Sequence, residues 1–107
     1  MKERLPTIPA ALTALAAALG WACASAQEAD AAARGLAATC AGCHGTGGIS
    51  AGGTATLAGM PKDAIARTLR AYKSGALEGT VMPQLAKGYT DAQIDALAAW
   101  FASQKAR

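Results

Sequence analysis

Cys40, Cys43 and His44 stand in the run Cys40-Ala41-Gly42-Cys43-His44, spaced C-x-x-C-H. Two thiols at that separation can each add across one vinyl group of a haem, leaving two thioether bonds. The imidazole that follows can reach the iron from one side. On a helical turn, positions i, i+3 and i+4 share a face. Both sulfurs and the ring nitrogen then point at one flat macrocycle. His44 is the sole histidine of the chain, so no other His can supply that ligand. The implied cofactor is one covalently bound haem c. Other chemistries fit the residues less well. Zinc normally wants four ligands, and two Cys with one His supply three. A thioredoxin-like dithiol needs a βαβ setting, and no strand pattern is present.

A haem held this way needs a second axial ligand or keeps an open site. Two methionines follow His44. Met60 comes soon after it, immediately before a predicted helix. Met82 lies farther along, in what reads as an extended loop before the last helix. The chain must pass around the haem edge to reach the opposite face, and the intervening loop and helix give Met82 that reach. His44 and Met82 are therefore the expected iron ligands. The alternative makes Met82 a core side chain, with the sixth site open or filled by Met60. A neutral thioether favours reduced iron and raises the potential over bis-His ligation. The other nitrogen of His44 should donate to a backbone carbonyl, with residues 51–54 the expected source.

The elements that must position these groups are short. The chain has 107 residues, enough for one small domain. Its start reads as a secretory signal: basic Lys2 and Arg4, an Ala/Leu run from Ile8 to Leu19, then Ala24-Ser25-Ala26 as an A-x-A cleavage site. Residues 1–26 are then a cleaved signal peptide and residues 27–107 a monohaem domain, placed in the periplasm. The apolar run is too short and Ala-rich for a confident membrane span. An uncleaved anchor, or lipidation at Cys23, is the competing reading, and Trp21 is bulky where a lipidated Cys wants a small residue. Cleavage removes Cys23 and leaves only the haem pair of cysteines. The chain's net charge of +3 drops by one, and two haem propionates cancel the rest. The pI of about 9.0 is thus no argument for a nucleic-acid or acidic-membrane partner. A chain so rich in Ala and Gly has few large apolar side chains, and domains this small often need a staple. The apo-protein is expected to be largely unfolded.

Residues 28–39 read as a helix, with Ala32, Gly35, Leu36 and Thr39 on one face. It should run into the C-x-x-C-H turn and break at Gly45-Thr46-Gly47-Gly48. Residues 45–59 read as an irregular loop on the His44 side. Their glycine pairs lack the preceding strand and the GK[ST] of a phosphate loop. Pro61 and Asp63 open a second helix whose Ile65, Leu69 and Tyr72 face inward, and Ser74-Gly75 stops it. Its Arg67, Arg70 and Lys73 read as a solvated face, the alternative being a pairing with a propionate. Pro83 opens a short turn closing at Gly88. Thr90-Asp91-Ala92-Gln93 is a capping box for a last helix with Ile94, Leu97, Trp100 and Phe101 on its apolar face.

This order of elements resembles the class I cytochromes c. More narrowly, C-x-x-C-H-G-T at 40–46, L-A-G at 57–59, Y-K-S-G at 72–75 and V-M-P-Q-L-A-K-G-Y-T at 81–90 resemble the cytochrome subunit of flavocytochrome c sulfide dehydrogenases. The resemblance implies a small all-α fold of three to four helices wrapped around one haem c. Its first and last helices cross, bringing Ala32 and Leu36 to Leu97, Trp100 and Phe101. It also implies a periplasmic one-electron carrier with no catalytic residue of its own. Its partners would be redox proteins, including an FAD-containing sulfide dehydrogenase subunit. Neither nucleic acid nor stable membrane insertion is expected. A free shuttle to an oxidase or reductase, or a haem with an open sixth site for gas binding or catalysis, is the alternative. The chain departs from that family in two ways. It has a single haem motif, and Ala51-Gly52 and Ala55 stand where the family carries Gly-Pro and a second Pro before L-A-G.

Overall fold

The computed structural model describes residues 2–7 and 9–106, except for the side chains of residues 12, 13 and 16. Ile8, where the apolar N-terminal run begins, lies outside the described residues. Two compact units divide the chain, Met1–Asp30 and Ala31–Arg107. The described residues are helical, with no strand. Helix α1 covers Ala10–Ala38 and α2 Ala41–His44; a 3-10 turn spans Thr46–Gly48. Helices α3, Lys62–Ser74, α4, Met82–Ala86, and α5, Asp91–Ser103, follow. In the first unit Leu15, Leu19 and Trp21 are exposed. No described helix is long and apolar enough to cross a membrane.

Local chemistry sets most of the boundaries in the second unit. Pro61 is the N-cap of α3, Asp63 sits in its first turn, and Gly75 caps its end. Proline suits the start of a helix because the first N–H groups have no partner within it. Acidic Asp63 complements the positive end of the helix dipole. At α5 both halves of the capping box form. The Thr90 hydroxyl accepts from the Gln93 N–H at 3.1 Å, and the Gln93 side chain accepts from the Thr90 N–H at 2.9 Å.

The core lies between α3, α5 and the C-terminal part of α1. Ala37, Ile65, Ala66, Ile94, Leu97, Ala98 and Phe101 form one buried cluster, with Leu36, Leu69 and Trp100 packed against it. The inward face expected for α5 is thus found, and that of α3 at Ile65 and Leu69, with half-buried Tyr72 outside the cluster. The face expected for α1 is not. Ala32, Gly35 and Thr39 are exposed, and Ala33 and Ala37 are buried, with half-buried Leu36 and Cys40 beside them. That stripe, Ala33, Leu36, Ala37 and Cys40, has the same i, i+3, i+4, i+7 spacing turned by one residue. Alanine at 32 and at 33 gives no hydrophobic signal to tell the two stripes apart.

A second difference concerns Met82. It is the first residue of α4 rather than part of an extended loop. The residue before a proline is biased toward extended backbone, which is how the sequence reads. Here the Val81 carbonyl accepts from the Gln84 and Leu85 N–H groups at 3.0 and 3.1 Å. Pro83, lacking an N–H, fits the first turn they close. The turn ends near Gly88, whose N–H donates to the Leu85 carbonyl at 3.1 Å.

Candidate haem-binding site

The segment joining α1 to α2 is a helical turn. The Cys43 and His44 N–H groups both donate to the Cys40 carbonyl, at 3.3 and 2.9 Å. The i, i+3, i+4 geometry expected from the spacing is therefore realised. Cys40, Cys43 and Cys23 are all free thiols. Cys40 is half-buried against the core, and Cys43 is exposed. Burial pushes the Cys40 thiol above its ordinary range, a hydrogen bond with the Thr39 side chain opposing and neighbouring Cys43 adding to the rise.

Past His44 the backbone must turn sharply. Gly45 has φ +83°, and a Cβ there would overlap the Ile49 carbonyl oxygen. Gly48, also left-handed, lies under Phe101; a Cβ would come within 2.7 Å of its ring. The loop is pinned at its far end too. The Leu57 and Ala58 N–H groups donate to the Gly48 carbonyl at 2.7 and 3.1 Å, and Gly59 N–H donates to the Phe101 carbonyl at 3.0 Å.

This loop returns to His44. The imidazole Nδ1 lies 2.7 Å from the Ala55 carbonyl oxygen. A carbonyl can only accept, so Nδ1 carries a proton; in the neutral imidazole Nε2 is then the nitrogen with the lone pair. That is the tautomer a metal ligand requires. The carbonyl comes from Ala55, not from residues 51–54 as the sequence suggested. Ala55 is also where the resembling family carries its second proline, so a carbonyl is delivered without the proline ring. Immediately beside this bond, the Thr54 hydroxyl donates to the Cys43 carbonyl. No sequence signal marks either partner, because the accepting atoms belong to the backbone.

The two methionines separate clearly. Met60 packs against the buried cluster. Met82 is half-buried at the start of α4, flanked by exposed Leu77, Val81 and Leu85. Cys40, Cys43, His44 and Met82 are of the residue types that could hold a covalently attached haem. The fit rests on thiols free of any disulfide, an imidazole in the ligating tautomer and a thioether outside the core.

The cations of α3 lie elsewhere. Arg70 Nη2 is 2.7 Å from Asp95 Oδ1, and Lys73 Nζ is 3.4 Å from Asp91 Oδ1. Both tie α3 to α5, and Arg67 is exposed. At the other end of the core, the Thr39 hydroxyl and the Tyr89 hydroxyl are 3.0 Å apart, joining the end of α1 to the segment before α5.

The chain is 37% identical over 107 residues to the thiosulfate dehydrogenase electron acceptor of Thiomonas intermedia, covering 98% of this chain and 48% of that protein. It is 39% identical over 66 residues to the cytochrome subunit of sulfide dehydrogenase of Chlorobaculum tepidum, covering 62% of this chain and 60% of that protein. It thus spans less than two thirds of either relative's length. Its residues 27–101 match a family model that takes in the C-x-x-C-H turn, α3, α4 and most of α5. With that match added to the free thiol pair and the His44 geometry, the chain belongs to the c-type cytochrome family described as cytochrome c oxidase, cbb3-type, subunit III.

Proposed function

We propose that the chain is a one-electron carrier that accepts electrons from a dehydrogenase of reduced inorganic sulfur. Cys40 and Cys43 would hold one haem c through thioethers, and His44 Nε2 and the Met82 thioether would be the protein's ligands to its iron. The haem supplies a reversible Fe(III)/Fe(II) couple. The single observation carrying the site is the 2.7 Å contact between His44 Nδ1 and the Ala55 carbonyl, which in the neutral ring makes Nε2 the lone-pair nitrogen and fixes its direction. Met82 is favoured over Met60 because the half-buried Met60 side chain packs against the core cluster. With His44 and Met82 both serving as ligands, the iron would be closed to substrate and the chain would do no chemistry on sulfur itself. Its residues would hold the redox group and set its potential.

The electron source follows from the relatives, one named for thiosulfate dehydrogenase and the other for sulfide dehydrogenase. Residues 1–26 are a signal peptide in this reading and the carrier acts in the periplasm. The family match beginning at residue 27, directly behind Ala24-Ser25-Ala26, supports that division. An FAD-containing sulfide-oxidising subunit is one partner of this kind, and a thiosulfate-oxidising enzyme is the other.

Two experiments test the reading. A pyridine haemochrome spectrum of the exported protein should be that of haem with two thioethers, and its mature N-terminus should be Gln27. Stopped-flow mixing of the oxidised holoprotein with a sulfide or thiosulfate dehydrogenase plus its substrate should raise the reduced haem band. Absence of reduction by either enzyme would leave a free shuttle to other partners. Rapid, strong CO binding at neutral pH would replace the carrier with a haem that has an open sixth site.

A further inference from the structure

The loop that presents Ala55 is glycine-rich, with Gly45, Gly47, Gly48, Gly52 and Gly53 all at positive φ. Glycine-rich backbone has the most freedom to lose, yet the Ala55 carbonyl must hold one position against His44. Three of its hydroxyl residues, Ser50, Thr54 and Thr56, are bonded within the loop or to the turn it faces, and their bonds have a single consistent direction. The Thr54 hydroxyl donates its only proton to the Cys43 carbonyl. Ser50 Oγ, 3.2 Å from Thr54 Oγ1, must then be the donor to it. The Gly52 N–H in turn donates to Ser50 Oγ at 3.0 Å. The Ser50 N–H donates to Thr56 Oγ1 at 3.1 Å.

The outcome is a clamp of two adjacent rungs. Residues 43 and 44 face residues 54 and 55: Thr54 Oγ1 bonds to the Cys43 carbonyl, and His44 Nδ1 bonds to the Ala55 carbonyl at 2.7 Å. Each rung fixes the register of the other. We infer that Thr54, locked by Ser50, is a positioning residue that sets the strength of the His44–Ala55 hydrogen bond and through it the reduction potential. This inference rests on His44 being the haem ligand.

A purely structural role for Thr54 makes a different prediction. Thr54 is exposed, so water can satisfy the Cys43 carbonyl if the hydroxyl is lost, and stability should change little. Water cannot carry register from residue 43 to residue 54. A slackened Ala55 carbonyl makes the imidazole a weaker donor. Oxidised iron is then less favoured and the potential rises.

The test uses holoprotein and the variants Thr54→Val, Thr54→Ser and Ser50→Ala. Reduction potential is read by spectroelectrochemistry, and exchange of the His44 Nδ1 proton by NMR of the reduced form. Thr54→Val should raise the potential and speed that exchange about fivefold, the weight of one ordinary hydrogen bond. Thr54→Ser, which keeps the hydroxyl, should match the wild type, and Ser50→Ala should move both readouts in the Thr54→Val direction. Wild-type potential and exchange in Thr54→Val overturn the inference whatever the melting temperature does, as does a Thr54→Ser protein shifted as far as Thr54→Val. If Thr54→Val fails to retain haem, Ser50→Ala decides alone: a shift supports the clamp, and no shift overturns it. Wild-type protein without haem c, or with an iron that does not bind His44, sinks the site reading itself rather than the clamp.

Discussion

At the scale of single residues, the site depends on a few side chains with sharply different sensitivities. Met82 lies at the start of α4 and away from the core cluster against which Met60 packs. Met82→Ala should therefore abolish the near-infrared band of a methionine sulfur on ferric haem while leaving the covalent haem in place. Met60→Ala should keep the band and instead lower stability. Persistence of the band in Met82→Ala removes Met82 from the metal. Gly48 is sensitive for a steric reason. Its φ of +79° suits glycine, and a Cβ would come within 2.7 Å of Phe101. Overfilling a packed site commonly costs about 1–3 kcal/mol. Gly48→Ala should thus lower the urea midpoint of the holoprotein by at least ~1 kcal/mol of stability, while Gly47→Ala meets no neighbour within 4 Å and suffers only the backbone strain.

At the scale of elements, the helices were legible where their ends carry local chemistry. Pro61, Gly75 and the Thr90/Gln93 pair mark boundaries through bonds made within a turn, so the sequence places them well. Orientation was harder where the side chains are small, as the one-residue rotation of the buried α1 stripe illustrates. The contact between α3 and α5 adds charge to apolar packing. Arg70 and Asp95 remain 41% and 50% exposed, so water screens the pair. Arg70→Ala should cost only about 0.2–1 kcal/mol. That loss should shrink in 1 M salt, where the screening length falls to roughly 3 Å. The potential should stay at its wild-type value, because Arg70 is engaged by α5 carboxylates. A clear change in potential would revive the propionate pairing.

At the scale of the molecule, the core is thin. Among the described residues, six of the ten buried apolar ones are alanines, and only Ile65, Ile94, Leu97 and Phe101 are large. Burying alanine removes little apolar area, and stabilisation follows area at roughly 25 cal/mol per Å². A covalent apolar plate between the C-x-x-C-H turn and α4 would add what the side chains lack. A protein carrying both Cys40→Ser and Cys43→Ser should consequently give a poorly dispersed amide NMR spectrum and reduced far-UV helicity. A well-dispersed spectrum would show that the four large side chains suffice.

The chemistry to expect is legible in the sequence alone, because both thiols and the imidazole lie within residues 40–44 on one turn. Helix ends are legible there for the same reason: caps are local. Tertiary structure alone decided which alanine stripe of α1 is buried, since size and hydropathy are equal at both. Only the folded chain pairs Arg70 and Lys73 with α5, because many cations and acids along the sequence were equally available. The support behind His44 was decided there too. It comes from the Ala55 carbonyl, a group every residue carries. Only the closing of the loop, with Gly45 turning it and Thr54 bonded to Cys43, selects that carbonyl from its neighbours.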